Sequence, residues 1–357
     1  MDSPVPAETA GAVAPAGRSR GWRRAVRPVV TLVLLAALVT AGIVNHDRVA
    51  GWVSELVGVR WQWVLASAVV QIASFQCVAL LHRLLLRAGG GHGDLRALTG
   101  TTYAANGISL GLPVAGAAAS AAYTYRRWHD LGNSTALVGW VLAMSGISST
   151  VTLAAVIALG LAVTGSTAGA LGAFAASAAG ALPVLAVVLA IRHDATREVV
   201  GRVLGRGAKL LGRWVPALRR KDVAAKIVDL LASLGSYRLS TRGGVGAALF
   251  SLGNWVLDAG SLALAVVAVG APVPWQGLLL AWAAGALATS VRLTPGGIGV
   301  VEATLASALV AAGMPASQAV PAVVVYRLVS LWLPAAIGAL CLVISPRPVP
   351  AAEHQPH

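Results

Sequence analysis

The sequence predicts an all-α membrane protein that crosses the bilayer several times. Of its 357 residues, 57% are hydrophobic and only 11% are charged, whereas soluble domains carry about 25% charged residues. The mean hydropathy is +0.76. Several apolar stretches also approach the ~20 residues that a helix needs to cross a bilayer. Together these observations exclude a water-soluble enzyme of this size.

The uninterrupted apolar stretches predict six full spans. Residues 1–28 precede them, are rich in Ala, Pro and Gly and end in a basic cluster, which indicates a disordered cytoplasmic tail. The first apolar stretch can also be read as a cleaved signal peptide, but the further apolar segments behind it favour an uncleaved span. Residues 345–357 form a C-terminal tail. The predicted spans are Val29–Val44, Trp61–Leu81, Ala136–Val163, Ala168–Ile191, Gly246–Val269 and Val320–Ile344.

Two further apolar stretches are interrupted by Gly and Pro and do not fit a simple span. Each uninterrupted half has roughly 11 to 16 residues, too few to cross a ~30 Å core comfortably at ~1.5 Å per residue. Two interpretations stay open: re-entrant segments, or ordinary tightly packed helix hairpins. The first stretch, 97–124, is interrupted at Gly107, Gly111, Pro113 and Gly116, and the second, 276–313, at Pro295-Gly296-Gly297-Ile298-Gly299.

The distribution of Lys and Arg predicts which side of the membrane each connection faces. The positive-inside rule places the basic connections in the cytoplasm together with both termini. The first broken stretch then starts and ends inside, and the second starts and ends outside. This order predicts two halves of opposite orientation, an inverted repeat of the kind that builds transporter sites. The inside connections are 82–96, 123–133 and 192–243, the last with twelve Lys or Arg against four Asp or Glu; the outside ones are 45–60, 164–167 and 270–275.

The long 192–243 connection combines apolar residues at helical spacing with intervening basic residues. This pattern is typical of an amphipathic helix that lies on anionic headgroups. A solvated basic loop without a lipid role explains the composition equally well. The net charge of +14 is therefore interpreted as loops that face an anionic leaflet rather than as a nucleic-acid surface.

Four charged residues lie well inside the apolar segments, where each costs several kcal/mol unless it is paired or has a function. At ~1.5 Å per residue, three of them lie about 10 to 17 Å from the outer ends of their segments. Two acids and two arginines can neutralise one another, so a static ion-pair network is as well supported as a substrate or proton site. The four are Asp258, Arg292, Glu302 and Arg327, and Tyr326, Asn106 and Asn254 add hydrogen-bonding groups at similar depth.

The Pro295–Gly299 sequence predicts an opened backbone directly before a helix that starts near Val300. The N-terminal N–H groups and the positive end of that helix can bind an anion such as a lipid phosphate, with Arg292 or Arg327 adding charge. Alternatively, Glu302 in the first turn caps the same amides. No Ser-His-Asp set, metal-ligand spacing or nucleotide fingerprint occurs, so we predict no catalytic residue, metal or cofactor.

These residues resemble a known family. The run Thr294-Pro-Gly-Gly-Ile-Gly-Val-Val-Glu302, followed by Tyr326-Arg327, is similar to the C-terminal signature of the lysylphosphatidylglycerol synthase transmembrane (flippase-like) family. The resemblance covers roughly residues 29–344. Further matching positions are Asn106, Leu112-Pro113, Gly116, Asn254-Trp255, Asp258, Leu333-Pro334 and Gly338.

The resemblance implies a flippase-like domain related to the part that moves aminoacylated lipids across the bilayer. Two departures are relevant: many members carry an acidic residue where this chain has Ala117, and the soluble aminoacyl-transferring domain of bifunctional members is missing. We therefore expect no enzymatic activity. The residues predicted to bind a substrate or lipid are Asn106, Pro113, Asn254, Asp258, Arg292, Pro295, Gly296, Gly297, Gly299, Glu302, Tyr326 and Arg327.

We predict a protein of the inner (plasma) membrane that translocates or binds an amino- or glycophospholipid or a lipid-linked substrate. Its expected ligand is an anionic membrane lipid, and a partner enzyme or a second copy of the chain is a further expected partner. One alternative is a proton-coupled transporter of a small amphiphile that uses Asp258 and Glu302 as proton carriers. The other is a membrane scaffold subunit without transport activity.

Overall fold

The computed structural model of the chain describes residues 58–112, 115–163, 237, 239–291 and 294–344. Every regular element within these ranges is helical. We number the helices in chain order: α1 Trp61–Ala88, α2 Leu95–Gly111, α3 Gly116–Asp130, α4 Thr135–Val163, α5 Thr241–Ala268, α6 Trp275–Val291, α7 Val300–Ala311, α8 Ala316–Arg327 and α9 Leu333–Ile344.

Four helical segments are long and apolar enough to cross a membrane: α1, α4, α5 and the continuous Ala316–Ile344 segment. They confirm four of the six predicted spans. Helix α1 continues past the predicted end at Leu81 to Ala88, because Leu85 and Leu86 in its last turns are fully buried. The predicted spans Val29–Val44 and Ala168–Ile191, both tails and nearly all of the 192–243 connection lie outside the described residues.

The first broken stretch forms two helices, α2 and α3. The start of α2 and the end of α3, which are the two ends away from the break, lie close together. Asn133, which is 2% exposed, accepts a hydrogen bond from the His92 backbone N–H at 2.9 Å and donates to the His92 carbonyl at 2.8 Å. The same amide donates to the Trp128 carbonyl at the end of α3. The segment before α2 and the segment after α3 therefore lie at the same face of the helix bundle.

The second broken stretch repeats this arrangement with α6 and α7. A Cβ added at Gly277, near the start of α6, would lie 2.3 Å from the Cβ of Ala312, directly after α7. Between the helices, a 3₁₀ turn covers Pro295–Gly297. The two ends of this stretch thus also lie side by side.

The two pairs of ends lie at opposite faces of the bundle. At one face, Tyr237 before α5 contacts Ser134 through their hydroxyls at 3.2 Å, beside Asn133. At the other face, the Arg60 N–H before α1 donates to the carbonyl of Ala268 at the end of α5, at 2.8 Å. Helix α5 starts at the first face and ends at the second. The α2–α3 pair therefore has the start of α2 and the end of α3 at the first face, and we say that it opens there. In the same sense, the α6–α7 pair opens at the second face.

The packing of the helices follows the same pattern. Helices α1 and α5 make the most extensive contact; α2 packs on α9, and α6 packs on α4. Small residues allow both of the latter contacts: Gly338 of α9 lies against the Tyr103 backbone, and Gly160 of α4 against Leu279 of α6. Hydroxyl pairs such as Ser67–Ser261 at 2.9 Å join α1 to α5. Such small residues and short polar contacts hold helices together where no water is present to drive association.

Candidate functional site

The site is built around the Pro295–Gly299 turn. Gly296, Gly297 and Gly299 have φ angles of 63°, 70° and 90°, a left-handed conformation that costs other L-residues about 1–2 kcal/mol each. Three such residues within four positions prevent the helix from continuing, and α7 begins only at Val300. The predicted break in the helix is thereby confirmed, and its cause is the backbone conformation that these glycines adopt.

A buried ion pair holds this turn in place. Arg327 Nε donates to Glu302 Oε1 at 2.6 Å, and the two side chains are 8% and 14% exposed. Arg327 Nη2 also donates to the Gly296 carbonyl in the turn. One guanidinium therefore connects α8, α7 and the turn, and two of the four charges that the sequence places inside the apolar segments form a direct ion pair.

Glu302 also caps α7. Its Oε2 accepts a hydrogen bond from the Gly299 backbone N–H at 2.6 Å, which satisfies one of the amides that a helix leaves without an intrahelical partner at its start. The alternative that Glu302 caps this helix is thus confirmed for the Gly299 amide. An anion that binds at this terminus must therefore use the amides beyond Gly299 and the remaining donors of Arg327, and it approaches a site that already contains one carboxylate.

Asp258 has different partners from those expected of a four-charge cluster. Its Oδ2 accepts from Trp282 Nε1 at 2.9 Å, and the Tyr326 hydroxyl donates to both carboxylate oxygens at 3.2 Å. Within the described residues, no Arg or Lys nitrogen forms an ion pair with Asp258. Among the described residues, the alternative of a static network of direct ion pairs thus holds only for Glu302 and Arg327. Neutral donors from α6 and α8 occupy the oxygens of Asp258, and Arg292 lies outside the described residues.

The Asp258 group and the ion pair adjoin each other because Tyr326 and Arg327 are neighbours in sequence. Directly after them, Leu328–Trp332 forms a π-helical turn. Pro334 explains the wider turn, since proline has no N–H to donate to the carbonyl four residues earlier and its ring crowds that carbonyl. Single π turns in helices occur frequently at functional sites.

These groups form one layer inside the bundle. Asp258 lies ten residues before Ala268, about 15 Å along the helix, and Arg327 lies eleven residues after Ala316, about 16 Å, at 1.5 Å per residue. Both of these helix ends belong to the face where the α6–α7 pair opens. The layer is therefore close to the middle of a ~30 Å hydrocarbon core.

The other predicted residues are located less centrally or not at all. Asn254 lies one turn before Asp258, and its backbone and side-chain oxygens accept from the Ser74 hydroxyl of α1 at 2.9 and 3.1 Å. Asn106 lies on α2, which contacts the Pro295–Gly297 turn, but its side chain forms no hydrogen bond with Asp258, Glu302 or Arg327, the charged residues of the layer that the structure describes. Pro113 and Arg292 lie outside the described residues.

Sequence reasoning missed two residues of the Asp258 group. Gln71 of α1 lies beside Asp258, between the Ser67–Ser261 and Ser74–Asn254 contacts of α1 and α5, and it is 4% exposed. Trp282 of α6 is 1% exposed and packs edge-on against Trp255, with ring centroids 5.7 Å apart. An uncharged Gln within an apolar span was the available signal for the first. For Trp282 the sequence contained no signal, because a tryptophan in an apolar helix is expected at the membrane interface.

Metal-binding side chains do not gather in this layer: nowhere in the described ranges do three His, Cys, Asp or Glu residues come close enough to hold an ion. The layer instead contains a guanidinium, two carboxylates, a phenol and an opened backbone inside apolar helices. This combination defines a polytopic helical membrane protein with a polar site at broken membrane helices.

The comparison with protein families agrees with this class. The family model described as the lysylphosphatidylglycerol synthase TM region matches residues 20–338, which is most of the chain. The chain belongs to this family, and the resemblance predicted from its motifs is confirmed. A comparison with curated proteins finds no match.

Proposed function

We propose that the protein binds an anionic phospholipid or lipid-linked molecule at the Pro295–Gly299 turn and moves its headgroup across the membrane. The observation that carries this proposal is the opened glycine backbone, which Arg327 and Glu302 hold at mid-membrane depth. Irregular backbone is tolerated at this depth only where protein buries it or a polar cavity adjoins it. A headgroup that crosses the bilayer needs such a polar place to pass.

Arg327 supplies the charge for this interaction. Two of its five N–H donors are engaged by Glu302 and Gly296, and guanidinium groups match phosphate oxygens in charge and shape. The Glu302 carboxylate fixes the guanidinium in position and offsets part of its charge. The headgroup would therefore bind to Arg327 through several hydrogen bonds, but less tightly than it would bind to an unpaired arginine.

The contacts between the two halves support an inverted repeat with two re-entrant segments. The α2–α3 and α6–α7 pairs open at opposite faces, and the contact of α2 with α9 corresponds to the contact of α6 with α4. In transporters built from inverted repeats, the substrate site lies at the repeat interface near the bilayer midplane. The α2 helix of the first half contacts the Pro295–Gly297 turn of the second half, so the proposed lipid site lies at this interface.

In this proposal the protein is located in the cell membrane with both termini in the cytoplasm, and it performs no aminoacyl transfer itself. A scaffold subunit would require helix packing but no opened backbone at mid-membrane depth. A carrier that uses Glu302 as a proton site would require that carboxylate to be without a cationic partner. The Glu302–Arg327 pair at 2.6 Å therefore speaks against Glu302 as a proton carrier, and the opened backbone favours the lipid site over a scaffold subunit.

Two glycines provide a matched test. Gly299 and Gly313 have φ angles of 90° and 93°, and a Cβ added at either would have no atom within 4 Å. Alanine at either position therefore has a similarly positive φ and no steric contact, and we expect it to cost at least about 1–2 kcal/mol. Gly299 lies in the proposed site, whereas Gly313 lies in the exposed loop after α7.

Lipid movement is measured in proteoliposomes with a fluorescent anionic phospholipid and a membrane-impermeant quencher. We expect Gly299→Ala to fold and reconstitute but to lose most lipid movement, and Gly313→Ala to move lipid as the unmodified protein does. Equal movement by both variants would show that the turn has no part in transport. A wild-type protein that moves no lipid would refute the proposal itself.

A further inference from the structure

Within the described residues, Asp258 is held by neutral hydrogen-bond donors. These donors are Trp282 and Tyr326, whereas Arg327 pairs with Glu302 at 2.6 Å. A carboxylate inside apolar helices is costly unless it is paired or takes up a proton.

Gln71 has an unsatisfied acceptor at the same place. Its amide lies beside Asp258, between the Ser67–Ser261 and Ser74–Asn254 contacts of α1 and α5, and because a carboxylate only accepts, only the amide NH₂ can donate to it. The other end of this amide, Oε1, is buried and has no hydrogen-bond donor among the described residues. A buried acceptor without a donor is rare in proteins and calls for an explanation.

One added proton neutralises Asp258 and gives Gln71 Oε1 its missing donor. We propose that Asp258 and Gln71 form a proton-binding site, in which the protonated carboxyl donates to Gln71 Oε1 while the Gln71 NH₂ donates to the other carboxyl oxygen. This is the cyclic pairing of a carboxylic acid with a primary amide, and each group uses one donor and one acceptor. The proton comes from water, and the only covalent change is one O–H bond on Asp258.

Few other titratable groups act on this site. Helices α4 and α6 contain no ionisable residue. From α8 the site is faced by Tyr326, which donates to Asp258, and by Arg327, which pairs with Glu302 of α7. On α1 the nearest titratable residue after Gln71 is Cys77, which lies against Gly253, more than one turn of α5 before Asp258. Asp258 is therefore the group of this layer whose protonation changes the hydrogen bonding.

Proton binding is tested on purified protein in nanodiscs by pH-dependent infrared difference spectroscopy, which detects the C=O stretch of a protonated carboxyl. We expect a hydrogen-bonded carboxyl band that disappears in Asp258→Asn. In Gln71→Leu we expect the band to move to the frequency of a carboxyl whose O–H has no partner. Asp94→Asn makes the same chemical change at an exposed residue before α2 and should leave the band unchanged.

The amide of Asp258→Asn can accept from Tyr326 and donate to Gln71 Oε1, so this variant imitates the protonated state and should fold. Gln71→Met serves as a second variant if Gln71→Leu is not monodisperse on size exclusion. A band that persists in Asp258→Asn, or that keeps its frequency in both Gln71 variants, overturns the proposal. Absence of any such band in the unmodified protein at every pH overturns it as well.

A role of this proton in transport rests on the proposed function, and a separate measurement tests it. An imposed pH gradient should change the rate of lipid movement in proteoliposomes, and Asp258→Asn should lose this response. If lipid moves without any response to pH while the infrared band is present, coupling is refuted and the lipid function stands. If no lipid moves under any condition while the band titrates, the lipid function fails and proton binding stands.

Discussion

Replacing either member of the Glu302–Arg327 pair should destabilise the protein strongly. The side chains are 14% and 8% exposed, so removing one partner leaves the other charge buried and unpaired. Such a change costs about 3–5 kcal/mol in the free energy of unfolding. We expect Glu302→Gln and Arg327→Gln each to lose stability in this range.

The double variant should be much more stable than the sum of the single losses predicts. With both charges removed, neither member of the pair is left buried without its partner, so the interaction energy between the sites should be about 0.5–3 kcal/mol, as for other residues in direct contact. The Arg327→Lys variant tests the positive charge at this position separately from the hydrogen-bond geometry of the guanidinium. A lysine can keep the charge opposite Glu302 but cannot also reproduce the bond to the Gly296 carbonyl, which should cost about 1.5–3 kcal/mol, the value of a charged hydrogen bond.

The free energy of unfolding is measured by titration with SDS in mixed detergent micelles. Arg126→Gln makes the same change at an exposed arginine of α3 and should shift stability by no more than about 0.5 kcal/mol. If the two single losses simply add in the double variant, the residues do not interact energetically. The ion pair would then not be what holds the turn to α8.

Three other predictions concern the framework around the site. Asn133→Ala removes the bonds that join the ends of the α2–α3 pair and should cost about 2 kcal/mol in the same unfolding titration; no loss would mean that other contacts join these ends. Gly338→Ala places a Cβ 2.4 Å from a backbone carbonyl of α2 and should destabilise the protein by about 1–3 kcal/mol. The control Gly146→Ala, with no atom within 4 Å, should stabilise it slightly. Similar effects of the two variants would show that close packing at Gly338 does not contribute to stability. In a variant without native cysteines, Ser317→Cys should react with impermeant thiol reagents in intact cells and Asp130→Cys should not; the reverse labelling would contradict the orientation predicted from charge.

The spans could be predicted from sequence because hydropathy and length alone determine which helices can cross a bilayer. The four described spans agree with the predicted ones, and the deviation at the end of α1 arises because buried leucines extend the helix beyond its uncharged part. The break at Pro295–Gly299 was predictable for a similar reason: a local run of Pro and Gly has few other uses inside an apolar segment.

The partners of the buried charges were only partly predictable. Glu302 and Arg327 have opposite charges in the same layer, so their pairing follows from the cost of leaving either alone. The neutral partners of Asp258 depend on which faces of α1 and α6 turn toward α5, and no local pattern determines this. The sequence therefore marks Gln71 only as a polar residue in an apolar span, and the position of Trp282 beside Asp258 became visible only once the helices were packed.

Native mass spectrometry of the purified protein tests the lipid site most directly. The wild-type protein and Gly313→Ala should each retain an anionic phospholipid through detergent exchange, and Gly299→Ala should retain markedly less of it. Equal lipid retention by the three proteins, or no anionic lipid on the wild type, would contradict a headgroup site at the Pro295–Gly299 turn.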